Sequence, residues 1–513
     1  MAPNKPSAAS YNSSSSAGYV GKSGNEVAKT TASPEHQHQK EYTYADLRSS
    51  RHSSHAPREK QQRLMAIHGK VYDVGSFLPS HPGGAIIQTA IGRDATILFE
   101  THHALTDGGI DSVRKVLAKY QVGTLKGYQP VANFDTPFAH ALIARVRGLT
   151  NGKKRRDSLY AYSSVAFFYA AFAALVYATF RTQWLVCAAG LGVIMSVGHV
   201  CGHAGNHWSL SSSDWFNALT SLTCTSLWGL REKYWEFSHL ISHHCYNYTD
   251  RDFIMEQHVP MAYFRVRDSD PWRPVHAYQH WIYLSTFLTS FLLGAFRLDC
   301  APWIFLAPLL GFLRQNADSP APAPQFFASG SNVQEEALGE DEDGVGPSHF
   351  LVFDTFWTNT LSLLMSNLIW LPLFIYTSSL HGIPYAILLN SVAFGTQAAI
   401  VTKNLLTQHM CEDIVLKPRY TATDCWYALQ VEASTTVHKS KFTMWLSYAI
   451  SYQTEHHMFP SLGPELLVSV QPVVQAVSRE HGLQYNCLPS EAAALRSVFR
   501  QFKRLSVDPS KKK

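Results

Sequence analysis

The chain has 513 residues and a formal net charge of +5, with 16% charged and 12% aromatic residues. This length exceeds that of one ordinary domain, so two folded units are expected. The net charge is too small to favour a nucleic-acid partner, whereas a charged fraction below the roughly 25% of soluble proteins indicates contact with a membrane.

The first part of the chain changes composition twice. Residues 1–40 are rich in Ser, Lys and His and contain no apolar run, which predicts a disordered tail. Residues 41–127 contain short apolar runs and indicate a small soluble α+β domain. Residues 128–157 are predicted to form a linker, which includes the basic sequence Lys-Lys-Arg-Arg at 153–156.

Apolar stretches of membrane length follow this linker. Residues 159–180 are apolar for about the twenty residues that cross a bilayer. The basic sequence before them places the N-terminal domain in the cytosol by the positive-inside rule. Residues 184–200 can return through the membrane, and the stretches 356–376 and 383–405 predict a second hairpin. We therefore expect a mostly α membrane protein with four transmembrane helices.

Two shorter apolar runs, at 281–296 and 302–313, leave six transmembrane helices as the alternative. Either even number keeps both chain ends on the cytosolic side. Residues 315–348 are rich in Pro, Ala, Glu, Asp and Gly, which predicts a solvated insertion loop. The membrane domain is therefore expected at 158–485, with a C-terminal tail at 486–513.

A first motif lies in the small N-terminal domain. It comprises the sequence HPGG at 81–84, VYDV at 71–74, GRDAT at 92–96 and the doublet at 102–103. This set resembles the cytochrome b5 family, whose HPGG turn carries one axial ligand of haem b. The resemblance implies His81 as one ligand, and the spacing selects His103 as the second, with His102 as the alternative. Two axial imidazoles leave no open position on the iron, so such a haem transfers electrons.

Three groups of histidines follow, each next to apolar sequence, where ionisable residues are costly and usually functional. They are His203 and His207; His239, His243 and His244; and, with a glutamine, Gln453, His456 and His457. Histidines at i and i+4 share one helical face, so each such pair can bind one metal ion. Adjacent histidines diverge, so each doublet can offer one imidazole to each of two ions. An alternative first pair is His199 with His203.

The type of metal follows from the haem domain rather than from the histidines. Ligation by imidazole alone is compatible with iron, zinc or copper. Zinc is redox-inert and needs no electrons, so an electron-transferring haem on the same chain favours iron and O2 chemistry.

The order HxxxH, HxxxHH and QxxHH resembles the membrane fatty acid desaturase family, and Gln453 together with the haem domain resembles its front-end subgroup. The resemblance implies two non-haem iron ions, bound by the histidines of the three boxes and by His409, an isolated histidine after the last apolar stretch. It implies insertion of a double bond into a long polyunsaturated acyl chain, carried on a lipid or as acyl-CoA. O2 and electrons from NADH-cytochrome b5 reductase are the implied co-reactants. The implied location is the endoplasmic reticulum membrane, with the haem domain and the boxes facing the cytosol.

Two residues depart from the patterns of these families. Ala204 stands where the first box usually has an aspartate, so a carboxylate close to the metal ligands is absent. His102 stands where relatives of the haem domain usually have an aromatic residue. Other functions compatible with the sequence are sphingolipid long-chain-base desaturation, acyl hydroxylation, and electron transfer by an inactive membrane haem protein. The sequence leaves the double-bond position, the chain length and the acyl carrier open.

Overall fold

The computed structural model describes residues 40–52, 62–227, 232–252, 264–281, 356–438, 440–447 and 450–511. The predicted insertion loop at 315–348, the shorter apolar runs beyond residue 281 and nearly all of the predicted N-terminal tail lie outside these residues. The predictions made for them are therefore not compared with the structure.

The N-terminal module is built on a four-stranded sheet with the strand order β1-β4-β3-β2. Its strands are β1 (Lys40–Tyr42), β2 (Leu64–Ile67), β3 (Lys70–Asp73) and β4 (Gln121–Leu125). β2 and β3 form an antiparallel hairpin through His68 and Gly69, which both have positive φ, as a tight two-residue hairpin turn requires. The helices α1 (Tyr44–His52), α2 (Thr96–His103) and α3 (Ile110–Leu117) complete the module. The predicted α+β domain is therefore present.

Two helical hairpins follow, and they correspond to the four long apolar stretches. The first consists of α5 (Leu159–Thr182) and α6 (Leu185–Asn206), after the shorter helix α4 (Pro137–Thr150). Ser158 caps α5 by accepting a hydrogen bond from the backbone N–H of Ala161. The second hairpin follows the shorter elements α7 (Asp214–Ser226), α8 (Glu232–Trp235), a π-helix (Glu236–His243) and α9 (His244–Tyr246), and consists of α10 (Phe356–His381) and α11 (Ile383–His409).

Three of these helices, α5, α6 and α11, are long and apolar enough to cross a membrane. The fourth, α10, has 26 residues and contains Pro372. At 1.5 Å per residue, 26 residues extend about 39 Å, which exceeds the roughly 30 Å hydrocarbon core. The number of spans and their orientation stay predictions.

Close packing between α6 and α11 brings the ends of the two hairpins together. A Cβ atom on Gly192 of α6 would lie 2.3 Å from the carbonyl oxygen of Ala393 in α11, so only glycine allows this approach. At the hairpin turns, Thr377 donates a hydrogen bond of 2.6 Å to the Gln183 side chain, and Tyr385 donates one of 2.7 Å to the Gln183 carbonyl. The opposite ends of α6 and α11 carry His203 and His409.

The remaining elements enclose these histidine-bearing ends. They are α12 (Trp426–Glu432), β5 (Thr436–Val437), α13 (Lys441–Leu446), α14 (Gln453–Met458), α15 (Pro464–Glu480), β6 (Cys487–Leu488) and α16 (Glu491–Leu505). Elsewhere in the chain, short 3₁₀ turns lie at Leu78–Ser80, Gly84–Ala90, Ala118–Tyr120, Pro274–Tyr278 and Pro509–Lys511. The stretch predicted as a C-terminal tail thus contains a strand and a helix. Its Val498, Phe502 and Leu505 are buried, because apolar residues recur on one face of α16.

The N-terminal module and the helical part belong to one compact unit, Lys40–Lys513. One apolar cluster joins them: Ile97 and Leu98 of α2 are buried in the same cluster as Trp426 and Phe459. The second histidine box, which contains His239, His243 and His244, is thereby covered by α2 on one side.

Candidate metal centre and haem site

The histidines of the three boxes are brought together by the ends of separate elements. His203 lies in the last turn of α6 and His207 caps that helix, while His409 is the last residue of α11. His456 and His457 lie in α14, a helix of six residues. All of these side chains are buried.

The second histidine box lies on a π-helix, and the wider turns of this helix change which of its histidines lie on the same face. In the i→i+5 pattern of Glu236–His243, the residue that shares a face with His239 is His244 rather than His243. His239 and His243, the i, i+4 pair expected to be able to bind one ion, fall in different groups of possible metal ligands, and their binding of a shared ion stays a prediction. The α-helical spacing rule fails where the backbone makes wider turns.

The eight predicted histidines form two groups, each with one nitrogen per side chain within 4.8 Å of the others. Group 1 consists of His203, His207, His239, His244 and His456, and group 2 consists of His243, His409 and His457. His199, the alternative partner of His203, belongs to neither group among the described residues. It lies instead beside Trp235, with 5.5 Å between the ring centroids.

Both histidine doublets divide between the two groups. The rings of His243 and His244 are inclined by 89°, and those of His456 and His457 by 86°, so the members of each doublet point in different directions. The two groups also adjoin, because His244 and His457 stack with centroids 4.3 Å apart. This is the arrangement that the sequence predicted for the doublets, and it suits a dinuclear centre.

The chemistry of the nitrogens fits a pair of transition-metal ions. Burial lowers the pKa of four of the histidines well below the usual value: His239, His244, His456 and His457. Neutral imidazoles offer lone pairs to a metal. Within the described part of the chain, Nε2 of His243, His456 and His457 is buried without a hydrogen-bond partner. Such orphaned nitrogens are costly unless a metal ion binds them.

Each histidine of group 2 has a hydrogen-bond acceptor at Nδ1, so the lone pair of its neutral ring lies on Nε2. His243 donates to the Asp252 carboxylate over 2.7 Å, and both side chains are fully buried. His457 donates to the Gln430 side-chain oxygen at 3.2 Å, and His409 to the Ala433 carbonyl at 3.2 Å. Such outer partners fix the tautomer and the orientation of a metal ligand.

Gln453, the glutamine of the third box, lies against group 2. Its side-chain nitrogen is 3.0 Å from Nε2 of His409, and its side-chain oxygen is buried without a partner among the described residues. Sequence reasoning missed Asp252 as the partner of His243. An aspartate nine positions after a histidine has no helical relation to it, so no periodic signal points to this contact.

Unlike the histidines of group 2, several histidines of group 1 contact one another through their ring nitrogens. Nε2 of His239 lies 2.6 Å from Nε2 of His203 and 3.1 Å from Nε2 of His244. Ala204, at the position of the missing carboxylate, is buried in an apolar cluster. Neither ring nitrogen of His207 has a hydrogen-bond partner in the described ranges.

In the N-terminal module, His81 and His103 face each other with their ring centroids 6.2 Å apart. Each donates its Nδ1 hydrogen to a backbone carbonyl at 2.9 Å, of Gly84 and of Phe99 respectively, which leaves both Nε2 lone pairs free for a metal. An imidazole nitrogen binds a transition metal at about 2 Å, so one iron ion fits between the two rings. Burial lowers the pKa of both histidines, which keeps them neutral. His81 and His103 thus fit a haem with two axial imidazoles, and the geometry favours His103 over His102.

Together, the fold and the two histidine sites are those of an oxidoreductase built on membrane-length helices. The profile of the fatty acid desaturase family matches residues 182–489, and that of the cytochrome b5-like haem/steroid binding domain matches residues 48–126. The chain belongs to the fatty acid desaturase family and carries an N-terminal cytochrome b5-like domain. Both resemblances drawn from the sequence are thereby confirmed.

Curated relatives extend over nearly the whole chain. The chain is 26% identical over 505 residues to an acyl-lipid (8-3)-desaturase of Physcomitrium patens, covering 91% of this chain and 92% of that protein. It is 24% identical over 506 residues to the Delta(5) fatty acid desaturase A of Dictyostelium discoideum, covering 92% and 95%. It is 26% identical over 444 residues to the Delta(8)-fatty-acid desaturase 2 of Arabidopsis thaliana, covering 83% and 86%.

Proposed function

We propose that this protein is a front-end fatty acyl desaturase that uses O2 at two non-haem iron ions and receives electrons from its own haem b domain. The observation that carries the proposal is the pair of adjoining histidine groups, each with buried neutral nitrogens, on a chain that also presents two opposed imidazoles for a haem. Family membership and the full-length relatives support acyl desaturation as the reaction.

The iron centre would supply the oxidising power that removes two hydrogens from adjacent methylenes of an acyl chain. The protein's own residues hold that centre. Group 1 and group 2 would each bind one ion, and the divided doublets fix the distance between the ions. Asp252 and Gln430 orient their histidines, and burial keeps water from the site. An alkyl C–H bond has no acidic or basic group that a side chain could activate. The main task of the protein is therefore to position the correct methylene.

The substrate and the orientation are part of the same proposal. The relatives' names support a long acyl chain in a lipid, with acyl-CoA as the alternative carrier. The basic residues 153–156 precede α5, whose N-terminal end lies on the same side as the histidine-bearing end of α6. By the positive-inside rule, this side faces the cytosol, in the endoplasmic reticulum membrane. NADH-cytochrome b5 reductase can then reduce the haem from the cytosol.

Expression in yeast tests the proposal. Cells fed with saturated and polyunsaturated fatty acids are analysed by mass spectrometry for new double bonds, and their sphingoid bases are analysed in parallel. We expect a new double bond between an existing one and the carboxyl end, absent in cells with His456→Ala. The matched control is His140→Ala, which removes a histidine that is 68% exposed.

Other products would contradict the proposal in distinct ways. A hydroxylated acyl chain would indicate the hydroxylase, and a new double bond only in sphingoid bases would indicate the long-chain-base desaturase. Normal haem absorbance without any new product would indicate a membrane haem protein that only transfers electrons.

A further inference from the structure

Helix α2 presents two neighbouring histidines in different directions. His103 faces His81 across the haem site. His102 instead lines a cavity of about 10 Å³ between the haem module and the histidine centre. The cavity is also lined by His207 and His244 of group 1 and by His457 of group 2. One helical turn of the haem module therefore contributes to both sites.

The hydrogen bonds of His102 define which of its nitrogens is an acceptor. Nδ1 donates to the backbone carbonyl of Leu98 at 2.9 Å, so Nε2 of the neutral ring carries the lone pair. Nε2 is buried and has no hydrogen-bond partner among the residues that the structure describes. It is therefore a buried acceptor in need of a donor.

In group 1, by contrast, ring N–H groups lack hydrogen-bond acceptors. A histidine that binds a metal through one nitrogen keeps an N–H group on the other, which almost always finds an acceptor. Group 2 has such acceptors, but both nitrogens of His207 and Nδ1 of His244 are without a partner in the described structure. Both side chains line the same cavity as His102.

We propose that His102 is the outer hydrogen-bond acceptor of group 1, taking the ring N–H of His207 or His244 at its Nε2 through one water molecule in the cavity. A cavity of this volume is about large enough for one water. This inference rests on the proposed function only in taking group 1 as a metal site. His102 is then a positioning residue, and the haem module completes the metal centre as well as donating electrons.

Contacts around the cavity hold α2 and the haem-binding turn in place. The Asp214 carboxylate accepts hydrogen bonds from the backbone N–H of Ala85 at 3.1 Å and from the Trp208 indole at 2.8 Å. Arg147 donates to the carbonyl of Ala104, just after α2, at 2.8 Å. The Asp214 bonds tie the haem-binding turn to the segment that follows His207, and the Arg147 bond ties the end of α2 to α4.

Metal affinity of the full-length, haem-loaded protein in detergent tests the proposal. Ferrous iron is competed against a chelator without O2 for the wild type, His102→Phe, which removes the acceptor, and His102→Gln, which keeps one. Loss of an outer partner typically costs about 10–100-fold in metal affinity. We expect a loss of this size for the phenylalanine variant and a clearly smaller loss for the glutamine variant. His140→Phe, at an exposed position, is the matched control and should bind iron as the wild type does.

The haem absorbance serves as the check on folding. If His102→Phe fails to bind haem while His102→Leu binds it, the leucine variant replaces it under the same criteria. Wild-type iron affinity in a haem-loaded variant without the acceptor would overturn the proposal, as would equal losses for phenylalanine and glutamine. Loss of haem in every variant at this position would overturn it too, since His102 would then be a haem ligand. Because the readout is iron affinity, absence of a lipid product from the wild type would count against the proposed function alone.

Discussion

Replacing Asp252 by asparagine tests how much the outer partners of the ligands contribute to the metal centre. The substitution keeps the size of the side chain and removes the charge that accepts the His243 N–H over 2.7 Å. A second hydrogen bond, from the backbone N–H of Tyr248 at 2.8 Å, holds the carboxylate in place. The amide oxygen of asparagine can still accept both hydrogen bonds, so the substitution removes the charge and keeps a neutral acceptor. Because both side chains are 0% exposed, water cannot offset the lost charge.

The magnitude follows from this burial. A hydrogen bond to a charged group contributes about 1.5–3 kcal/mol, and 1.4 kcal/mol corresponds to a tenfold change in affinity. The observed range for outer partners of metal ligands is about 10–100-fold. Asp252 is fully buried, but asparagine keeps a neutral hydrogen bond of about 0.5–1.5 kcal/mol, so we expect the lower end of that range, about tenfold weaker iron binding.

The assay is the iron content of the purified protein after dialysis against graded concentrations of a chelator. Asp250→Asn is the matched control, because it removes the same charge two residues away, where the side chain is 43% exposed and pairs with Arg267. Neither residue of that pair belongs to a histidine group, so its loss should leave iron binding unchanged. Equal iron retention by the two variants would refute the assigned role of Asp252.

Three further outcomes are expected. Gly192→Ala places a Cβ 2.3 Å from the Ala393 carbonyl oxygen and should lower the free energy of unfolding by about 1–3 kcal/mol, measured by thermal unfolding in detergent. The control Gly190→Ala meets only the flexible end of a leucine and should be nearly neutral. His103→Ala should abolish the haem absorbance with little change in non-haem iron content; retained haem would contradict the ligand assignment. Glu100→Gln weakens the ion pair with Arg114 and changes the hydrogen bond with His68. Since these partners are 46% and 42% exposed, it should destabilise the haem module by at most about 1 kcal/mol, seen as easier haem loss on heating; an unchanged midpoint would contradict this.

The sequence predicts the parts of this fold that depend on local periodicity. The apolar stretches at 159–180 and 383–405 correspond to Leu159–Thr182 and Ile383–His409, because about twenty apolar residues can hardly form anything but a long helix. The divergence of the doublets was also predictable, since neighbouring residues on any helix point in different directions.

Other parts depend on features that no local pattern carries. The π-helix places His239 in group 1 and His243 in group 2, and the sequence around it gives no signal of the wider turn. Gln430 reaches His457 from another helix, and Asp252 reaches His243 from a turn. The docking of α2 against the centre depends on apolar contacts between residues more than three hundred positions apart, such as Leu98 and Trp426.

The wide spacing of the ligands along the chain has a consequence for biosynthesis. Group 1 needs His203 from the first hairpin and His456 from near the C-terminus. At the usual speed of translation, tens of seconds separate the synthesis of these residues. Group 1 therefore cannot be complete before His456 has been synthesised, and until then the imidazoles of the first hairpin lack part of their set of partner ligands. Metal loading of group 1 thus follows the synthesis of all three boxes, and a chain that stops before His456 cannot complete this group.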